Sequence, residues 1–203
     1  MIAIVDYGMG NLGSILNMLK SIGANALITS DVDKIYKADK IILPGVGAFD
    51  TAMHKINNSE LLPLLNEKAL VSKIPILGIC LGMQLLTNSS EEGILPGLGW
   101  IDGQTICFKG AVEKQFKVPH MGWNLVHSQN EHSLIKDFKD EVRFYFVHSY
   151  YVKVRDLENS LLKTEYGTNF DSAIIKDNIF GVQFHPEKSH KYGKQLFKNF
   201  VKL

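Results

Sequence analysis

Cys80 is the residue whose type and setting most favour covalent chemistry. It lies in Gly78-Ile79-Cys80-Leu81-Gly82, directly after an apolar run typical of a buried strand and directly before a helical pattern. This is the layout of a nucleophile elbow with cysteine in place of serine. A sharp strand-to-helix turn brings backbone segments close together, so glycine is expected on both sides. Free N–H groups at the start of a helix favour the thiolate, and that of Leu81 can serve as one half of an oxyanion hole.

A structural interpretation of Cys80 competes with the catalytic one, because lone cysteines are commonly buried and inert. The two flanking glycines and the strand–turn–helix setting favour catalysis. Cys107 has neither feature, so we expect it to be structural. With two cysteines and no C-x-x-C pair, we predict no disulfide framework and no zinc site.

His185 is the strongest candidate for the base that a nucleophilic thiol needs. It lies in Gln183-Phe184-His185-Pro186-Glu187, directly after a predicted strand, and strand ends are where sites form in parallel sheets. Glu187 can accept a hydrogen bond from the imidazole and hold its tautomer. A solvated loop histidine beside a solvated glutamate is the alternative, because sequence cannot show that distant positions meet in space.

The elements that must position these residues alternate in the first half of the chain. Helical patterns separate short apolar runs at 2–5, 26–29, 41–43 and 74–79, which predicts βαβ units and a parallel sheet. Ser30 is a plausible N-cap for the second helix. After Gly93 the sequence is strand-rich, with helices expected only over 131–140 and 189–203. We therefore predict an α/β fold with a mostly parallel central sheet flanked by helices, an added antiparallel strand-rich part in the second half, and one domain over residues 1–203.

Composition narrows the class of protein. The 203 residues include 22 Lys+Arg and 21 Asp+Glu, so the net charge of +1 does not indicate a nucleic-acid surface. No apolar run approaches the roughly 18 residues of a membrane span, and the N-terminus does not resemble a signal peptide. We expect a cytoplasmic protein with no metal and no organic cofactor, since no ligand cluster or phosphate-binding fingerprint is present.

Five segments carry a family resemblance that covers the chain from end to end. The elbow G-I-C-L-G-M-Q and the later Q-F-H-P-E resemble the class I glutamine amidotransferases, which use a Cys-His-Glu triad. The segments D-Y-G-M-G-N-L, P-H-M-G-W-N and V-H-S-Y resemble, within that family, the glutaminase subunits of imidazole glycerol phosphate synthases.

The resemblance implies a mechanism. Cys80 would attack the side-chain amide carbon of glutamine, His185 would act as base and then as acid, and Glu187 would orient His185. A glutamyl thioester would form and be hydrolysed. Val46, in the Pro44-Gly45-Val46-Gly47 turn, would supply the second backbone oxyanion donor beside Leu81. The residues that would bind the substrate are Gly45, Gln84, Glu92, His148, Ser149 and Tyr150.

The resemblance also implies a partner, a (β/α)₈-barrel cyclase subunit that forms a heterodimer with this chain. The cyclase would use the ammonia to make imidazole glycerol phosphate and AICAR in histidine biosynthesis. Asn11, Met121 and Trp123 would lie at the contact, although Trp123 could equally be a core residue. No nucleic-acid or membrane partner is expected.

Three other functions fit parts of the pattern. A paralogous glutaminase subunit could supply ammonia for sugar amidination in surface-polysaccharide synthesis, and its motifs would look the same. A non-catalytic regulatory subunit could keep the fold, although intact Cys80, His185 and Glu187 argue against this. A cysteine hydrolase with the same elbow, such as a peptidase, would need no partner.

Overall fold

A computed structural model describes residues 1–113, 115–138 and 141–203. A π-helical turn, Glu67–Val71, extends the fourth helix, and short 3₁₀ turns occur at Ser133–Ile135, Leu157–Asn159 and Pro186–Lys188. No helix in these ranges is both long and apolar enough to cross a bilayer. The α-helices are α1 (Leu12–Ser21), α2 (Val32–Tyr36), α3 (Phe49–Asn57), α4 (Leu61–Asn66), α5 (Leu81–Leu85) and α6 (His190–Lys202).

The strands divide into an early set separated by helices and a later set separated by turns. The early strands are β1 (Ile2–Val5), β2 (Ala26–Thr29), β3 (Lys40–Gly45) and β4 (Ile76–Cys80). The later strands are β5 (Ser89–Ser90), β6 (Gly103–Cys107), β7 (His120–Leu125), β8 (His127–Ser128), β9 (Arg143–His148), β10 (Tyr150–Val154), β11 (Ser160–Glu165), β12 (Asn169–Lys176) and β13 (Ile179–Val182).

Within the described ranges, eleven strands form one sheet in the order β2-β1-β3-β4-β13-β12-β10-β6-β5, with β11 beside β12 and β8 beside β11. The five strands from β2 to β13 in this order run parallel. From β13 onward the pairings with β12, β10 and β6 are antiparallel. Strands β7 and β9 form a separate antiparallel pair. The predicted α/β fold with an added antiparallel part is confirmed.

The central strands are buried on both faces, which explains their nearly continuous apolar sequences. In β1, Ile2 and Ile4 enter one core, whereas Ala3 and Val5 enter another. Because successive side chains of a strand point to opposite faces, the two cores lie on opposite sides of the sheet. Helices α1 and α6 cover the first core, and α2, α3 and α4 cover the second.

Two local expectations were wrong. The helix expected over 131–140 is only the 3₁₀ turn Ser133–Ile135, because the backbone becomes extended at Lys136 (φ −57°, ψ 141°) and Asp137 follows with a left-handed φ of 65°; Lys139 and Asp140 lie outside the described residues. The N-cap of α2 is Asp31 rather than Ser30, since the Asp31 carboxylate accepts hydrogen bonds from two backbone N–H groups of the first turn.

The elbow depends on glycines that let three backbone segments meet. A Cβ on Gly82 would lie 1.9 Å from the carbonyl oxygen of Leu43 on β3. A Cβ on Gly78 would lie 2.6 Å from the carbonyl oxygen of Gly82. Because these obstacles are backbone atoms, they cannot move aside as a flexible side chain would. The turn that carries Cys80 therefore requires glycine on both sides.

Gly82→Ala should destabilise the fold strongly, because the added methyl group overlaps the β3 backbone. We expect the free energy of unfolding to fall by about 3 kcal/mol or more, measured by urea denaturation. Gly13→Ala is the matched control, since a Cβ at this position on α1 meets nothing within 4 Å. It should leave stability unchanged or raise it by up to about 1 kcal/mol. Equal unfolding midpoints for the two variants would contradict the close approach.

Candidate active site

Cys80 occupies the turn between a buried strand and a short helix. It is the last residue of β4, and α5 begins at Leu81. Its φ of 55° and ψ of −111° lie where residues with a side chain are rarely found. Such strain persists only where the surrounding structure holds it, and β4 is buried along its whole length. The residue is 7% exposed and reaches the surface through a cleft.

The cleft brings together residues from both halves of the chain. It has a volume of about 370 Å³ and lies against both Cys80 and His185. The sequence alone could not show that these two residues line the same cleft. Other predicted site residues in its walls are Val46, Leu81, Gln84, Glu92, His148, Ser149 and Tyr150.

Hydrogen bonds of its ring and of its backbone hold His185 just beyond the end of β13. Its Nδ1 lies 2.8 Å from Oε1 of Glu187, and both side chains are almost fully buried. Its backbone N–H donates to the carbonyl of Tyr145, and its carbonyl accepts from the Ser189 hydroxyl at 2.6 Å. Among the described residues its Nε2 has no aligned hydrogen-bond partner. Glu187 thus binds Nδ1 and leaves Nε2 available for proton transfer.

The charge state of His185 is set by opposing effects. Burial by itself lowers the pKa of His185, but interactions of its side chain with Cys80 and then with Glu187 outweigh burial. Together they raise the pKa from 6.5 to about 10. The imidazolium form is therefore the stable one at neutral pH, which suits a proton donor beside a thiolate.

Gly45 has a packing role at the end of β3. It pairs in register with Cys80, and a Cβ on it would lie 2.9 Å from Cβ of Leu81. Val46, the next residue, is 45% exposed and lines the same cleft as Leu81. The glycine thus lets the Val46 backbone pass close to the elbow, where an oxyanion donor would have to be.

The polar side chains of the cleft differ in how many of their atoms could still hydrogen-bond to a ligand. The Glu92 carboxylate is partly buried, accepts from the N–H of Phe49 at 3.0 Å, and keeps an oxygen for a ligand. Burial raises the pKa of Glu92, while that hydrogen bond opposes the shift. Gln84 is already engaged: its Nε2 donates to the carbonyl of Tyr150 at 3.2 Å and to Oε1 of Gln183 at 3.1 Å.

Gln183 is a site residue to which sequence reasoning assigned no role. Its side chain is fully buried, and its Nε2 donates to the Cys80 sulfur at 3.7 Å. The available signal was position: Gln183 lies near the end of the predicted strand, two residues before His185. A polar residue inside an apolar strand must be satisfied within the protein or be functional.

The predicted contact residues are at the surface. Met121 is 61% exposed and Trp123 is 44% exposed, so Trp123 is not a core residue. Both lie on β7, whose ladder partner is β9. The indole of Trp123 stacks on the His190 ring with centroids 5.6 Å apart. Asn11 is also exposed and precedes α1, where its side chain makes no capping hydrogen bond.

Comparison with known proteins identifies the family. The sequence matches the model of the glutamine amidotransferase class-I family over residues 3–203. It is 56% identical to imidazole glycerol phosphate synthase subunit HisH 2 of Methanococcus maripaludis, over all of this chain and 99% of the relative. It is 50% identical to subunit HisH 2 of Pseudomonas aeruginosa and 44% identical to subunit HisH of Bdellovibrio bacteriovorus, in both cases over the full length of both chains.

A solved structure supports the fold. The structure of PurLQS from Thermotoga maritima matches with a TM-score of 0.77 at 18% identity, covering 99% of this chain and 97% of that chain. The chain belongs to the class I glutamine amidotransferase family and, within it, to the HisH glutaminase subunits of imidazole glycerol phosphate synthase, an enzyme of histidine biosynthesis.

Proposed function

We propose that this chain hydrolyses glutamine with Cys80, His185 and Glu187 and delivers the ammonia to a (β/α)₈-barrel cyclase subunit. The cyclase then makes imidazole glycerol phosphate and AICAR. One observation supports the catalytic part above all others: Cys80 and His185 meet at one cleft, with Glu187 2.8 Å behind the imidazole.

Acylation begins when the Cys80 thiolate attacks the side-chain amide carbon of glutamine. Backbone N–H groups of Leu81 and Val46 stabilise the oxyanion of the tetrahedral intermediate. The His185 imidazolium gives its Nε2 proton to the leaving nitrogen, and ammonia departs as the glutamyl thioester forms. The imidazole left behind stays in position because Glu187 holds its Nδ1 proton.

Deacylation reverses the role of His185. Its neutral Nε2 takes a proton from water, and the resulting hydroxide adds to the thioester carbonyl. The second tetrahedral intermediate expels the Cys80 thiolate and releases glutamate. The thiolate–imidazolium pair is then restored, which agrees with a His185 pKa of about 10.

Glutamine fits the polarity of the cleft. The free carboxylate oxygen of Glu92 suits the α-ammonium group of the substrate. Gln84, His148, Ser149 and Tyr150 form further walls, and Gly45 lets the Val46 backbone approach. The volume of about 370 Å³ is of the size expected for a small-molecule site.

A docked partner is proposed because ammonia released into neutral water mostly becomes ammonium, which is not a nucleophile. The exposed Met121 and Trp123 on β7, together with Asn11, form the contact surface in this proposal. Trp and Met are enriched at protein interfaces. A cytoplasmic location is part of the same proposal.

A second candidate is a sister copy that supplies ammonia for sugar amidination in surface-polysaccharide synthesis. Two relatives, from Methanococcus and Pseudomonas, are named subunit HisH 2, and the motifs of such a copy would look the same. Complementation of a histidine auxotroph that lacks its own glutaminase subunit separates the two candidates. Growth without histidine supports the first candidate, and failure by a well-expressed chain supports the second.

Cys80→Ala should abolish glutamine-dependent synthesis, with a loss of roughly 10⁴-fold or more because the covalent step disappears. Ammonia-dependent synthesis by the complex should stay intact. Cys107→Ser is the matched control and should retain both activities. If Cys80→Ala changed neither activity, the chain would be a regulatory subunit; cleavage of peptides by the isolated wild type would favour the hydrolase alternative.

Glu187→Gln should lower the pKa of His185 from about 10, because a carboxylate that favours the imidazolium is replaced by a neutral amide. A folded-state pKa above the ordinary 6.5 adds stability that is fully present below about pH 6.5 and is lost as pH rises through about 10. The variant should lose less stability over this range than the wild type. Histidine NMR titration and urea unfolding at several pH values measure both effects, and the exposed Glu158→Gln is the control.

Trp123→Ala should weaken binding to the cyclase subunit without changing the glutaminase activity of the isolated chain. Loss of an aromatic anchor at an interface typically costs about 2 kcal/mol, which corresponds to roughly a 30-fold rise in Kd. Titration calorimetry measures the affinity. Leu157→Ala removes another exposed apolar side chain and should leave affinity unchanged. An unaltered Kd for Trp123→Ala would exclude β7 from the contact surface.

A further inference from the structure

Hydrogen bonds fix the direction in which the Gln183 amide points. The Tyr150 carbonyl oxygen can only accept, so Gln84 must present its NH₂ group there, at 3.2 Å. The same NH₂ donates to Oε1 of Gln183 at 3.1 Å. Gln183 must then direct its own NH₂ at the Cys80 sulfur, 3.7 Å away. Flipping either amide would place two acceptors or two donors face to face.

Two buried histidines continue this series of hydrogen bonds beyond the Tyr150 carbonyl. Nδ1 of His148 lies 2.7 Å from the same Tyr150 carbonyl and must carry the proton. Nε2 of His148 is then an acceptor, so Nδ1 of His120, 2.9 Å away, must be its donor. Nε2 of His120 in turn accepts from the Asn124 side-chain amide at 3.3 Å. These bonds can form together only when both rings are neutral.

The surroundings keep both rings neutral and in place. Burial lowers the pKa of His120 to about 4. Burial also lowers the pKa of His148 to about 3; the nearby His120 and His185 add to this shift, whereas the hydrogen bond to the Tyr150 carbonyl opposes it. The His120 ring is stacked between Tyr166 and Phe146, with centroids 4.0 and 4.8 Å away. Rotation of the ring would break these stacks as well as its hydrogen bonds.

The far end of the series is anchored on the backbone. The Asn124 side chain donates to the Glu165 carbonyl at 2.9 Å and accepts from the Leu125 N–H at 2.8 Å. Its amide therefore has one possible orientation. Asn124 lies on β7, the strand that carries Met121 and Trp123. Backbone groups thus define the donor direction at Asn124 and again at Tyr150.

We propose that Gln183 is a positioning residue of the glutaminase centre, whose amide donates to the Cys80 thiolate and is aimed by Gln84 and the Tyr150 carbonyl. A buried series of hydrogen bonds from Asn124 on β7 through His120 and His148 ends on the same carbonyl and helps to hold it in place. The inference rests on Cys80 being the nucleophile, as proposed above. A donor aimed at the sulfur stabilises the thiolate and restricts its position before glutamine binds.

Gln183→Met tests the donor, because methionine keeps the length of the side chain and removes the NH₂ group. The reaction of Cys80 with iodoacetamide is followed against pH by mass spectrometry of the Cys80 peptide in the full chain. We expect the midpoint of the pH profile to rise by about one unit, as for loss of a hydrogen bond to a charged group, so that the rate on the acid side of the wild-type midpoint falls about tenfold. The kcat for glutamine should fall more than KM changes.

Gln195→Met is the matched control, since Gln195 on α6 makes its amide hydrogen bond to Asn199. It should leave the Cys80 profile unchanged. If wild-type Cys80 reacts no faster than Cys107, the proposed function fails. If wild-type Cys80 is reactive and Gln183→Met has the same profile, only the role of Gln183 is overturned.

Direct observation of the histidine tautomers tests the series in the wild type and needs no variant to fold. Two-dimensional ¹⁵N–¹H spectra of histidine-labelled protein should show protonated Nδ1 and bare Nε2 for both His120 and His148 at pH 7. A protonated Nε2 on either ring would contradict this donor direction and overturn the part of the proposal that includes the two histidines, whereas the Tyr150 carbonyl would still fix the direction of Gln84 and Gln183.

Discussion

The parallel pairing of β4 with β13 is the constraint on which the site depends. The register places Val182 beside Ile79. The chain positions that follow, Gln183 and Cys80, therefore emerge side by side at the carboxyl edge of the sheet. His185 comes next on the same segment and lines the cleft, and Glu187 holds its imidazole from behind. Without this pairing the nucleophile and its base would belong to unrelated parts of the surface.

The polar side chains of the site are buried among apolar ones, and this explains why they are connected by hydrogen bonds. A buried polar group costs free energy unless it is hydrogen-bonded, so Gln84, Gln183 and His148 each bond to a protein partner. Within the described residues the exceptions include Nε2 of His185 and Oε2 of Glu187. Unsatisfied buried atoms are uncommon in folded proteins. These two lie within the proposed catalytic triad, where a proton is expected to move.

Family and fold were predictable because their signals are local. The glycines around Cys80 reflect a clash within one turn, and the apolar runs reflect strands buried on both faces. The predicted glutaminase family and the α/β sheet are confirmed. The wrong predictions were also local: extended backbone at Lys136 ends the helix expected over 131–140, and Asp31 replaces Ser30 as a cap. Backbone geometry decided the first and hydrogen bonds of one carboxylate decided the second, and hydrophobic periodicity reports neither.

By itself, the sequence determined the residue types that can perform thiol chemistry and the order of strands and helices that carry them. Only the tertiary structure decided that Cys80 and His185 share a cleft, that Trp123 is exposed, and that Gln183 points at the sulfur. The physical reason is distance along the chain. Turn and strand preferences act among neighbouring residues, whereas the direction of a buried amide depends on donors and acceptors that strand pairing brings from far away.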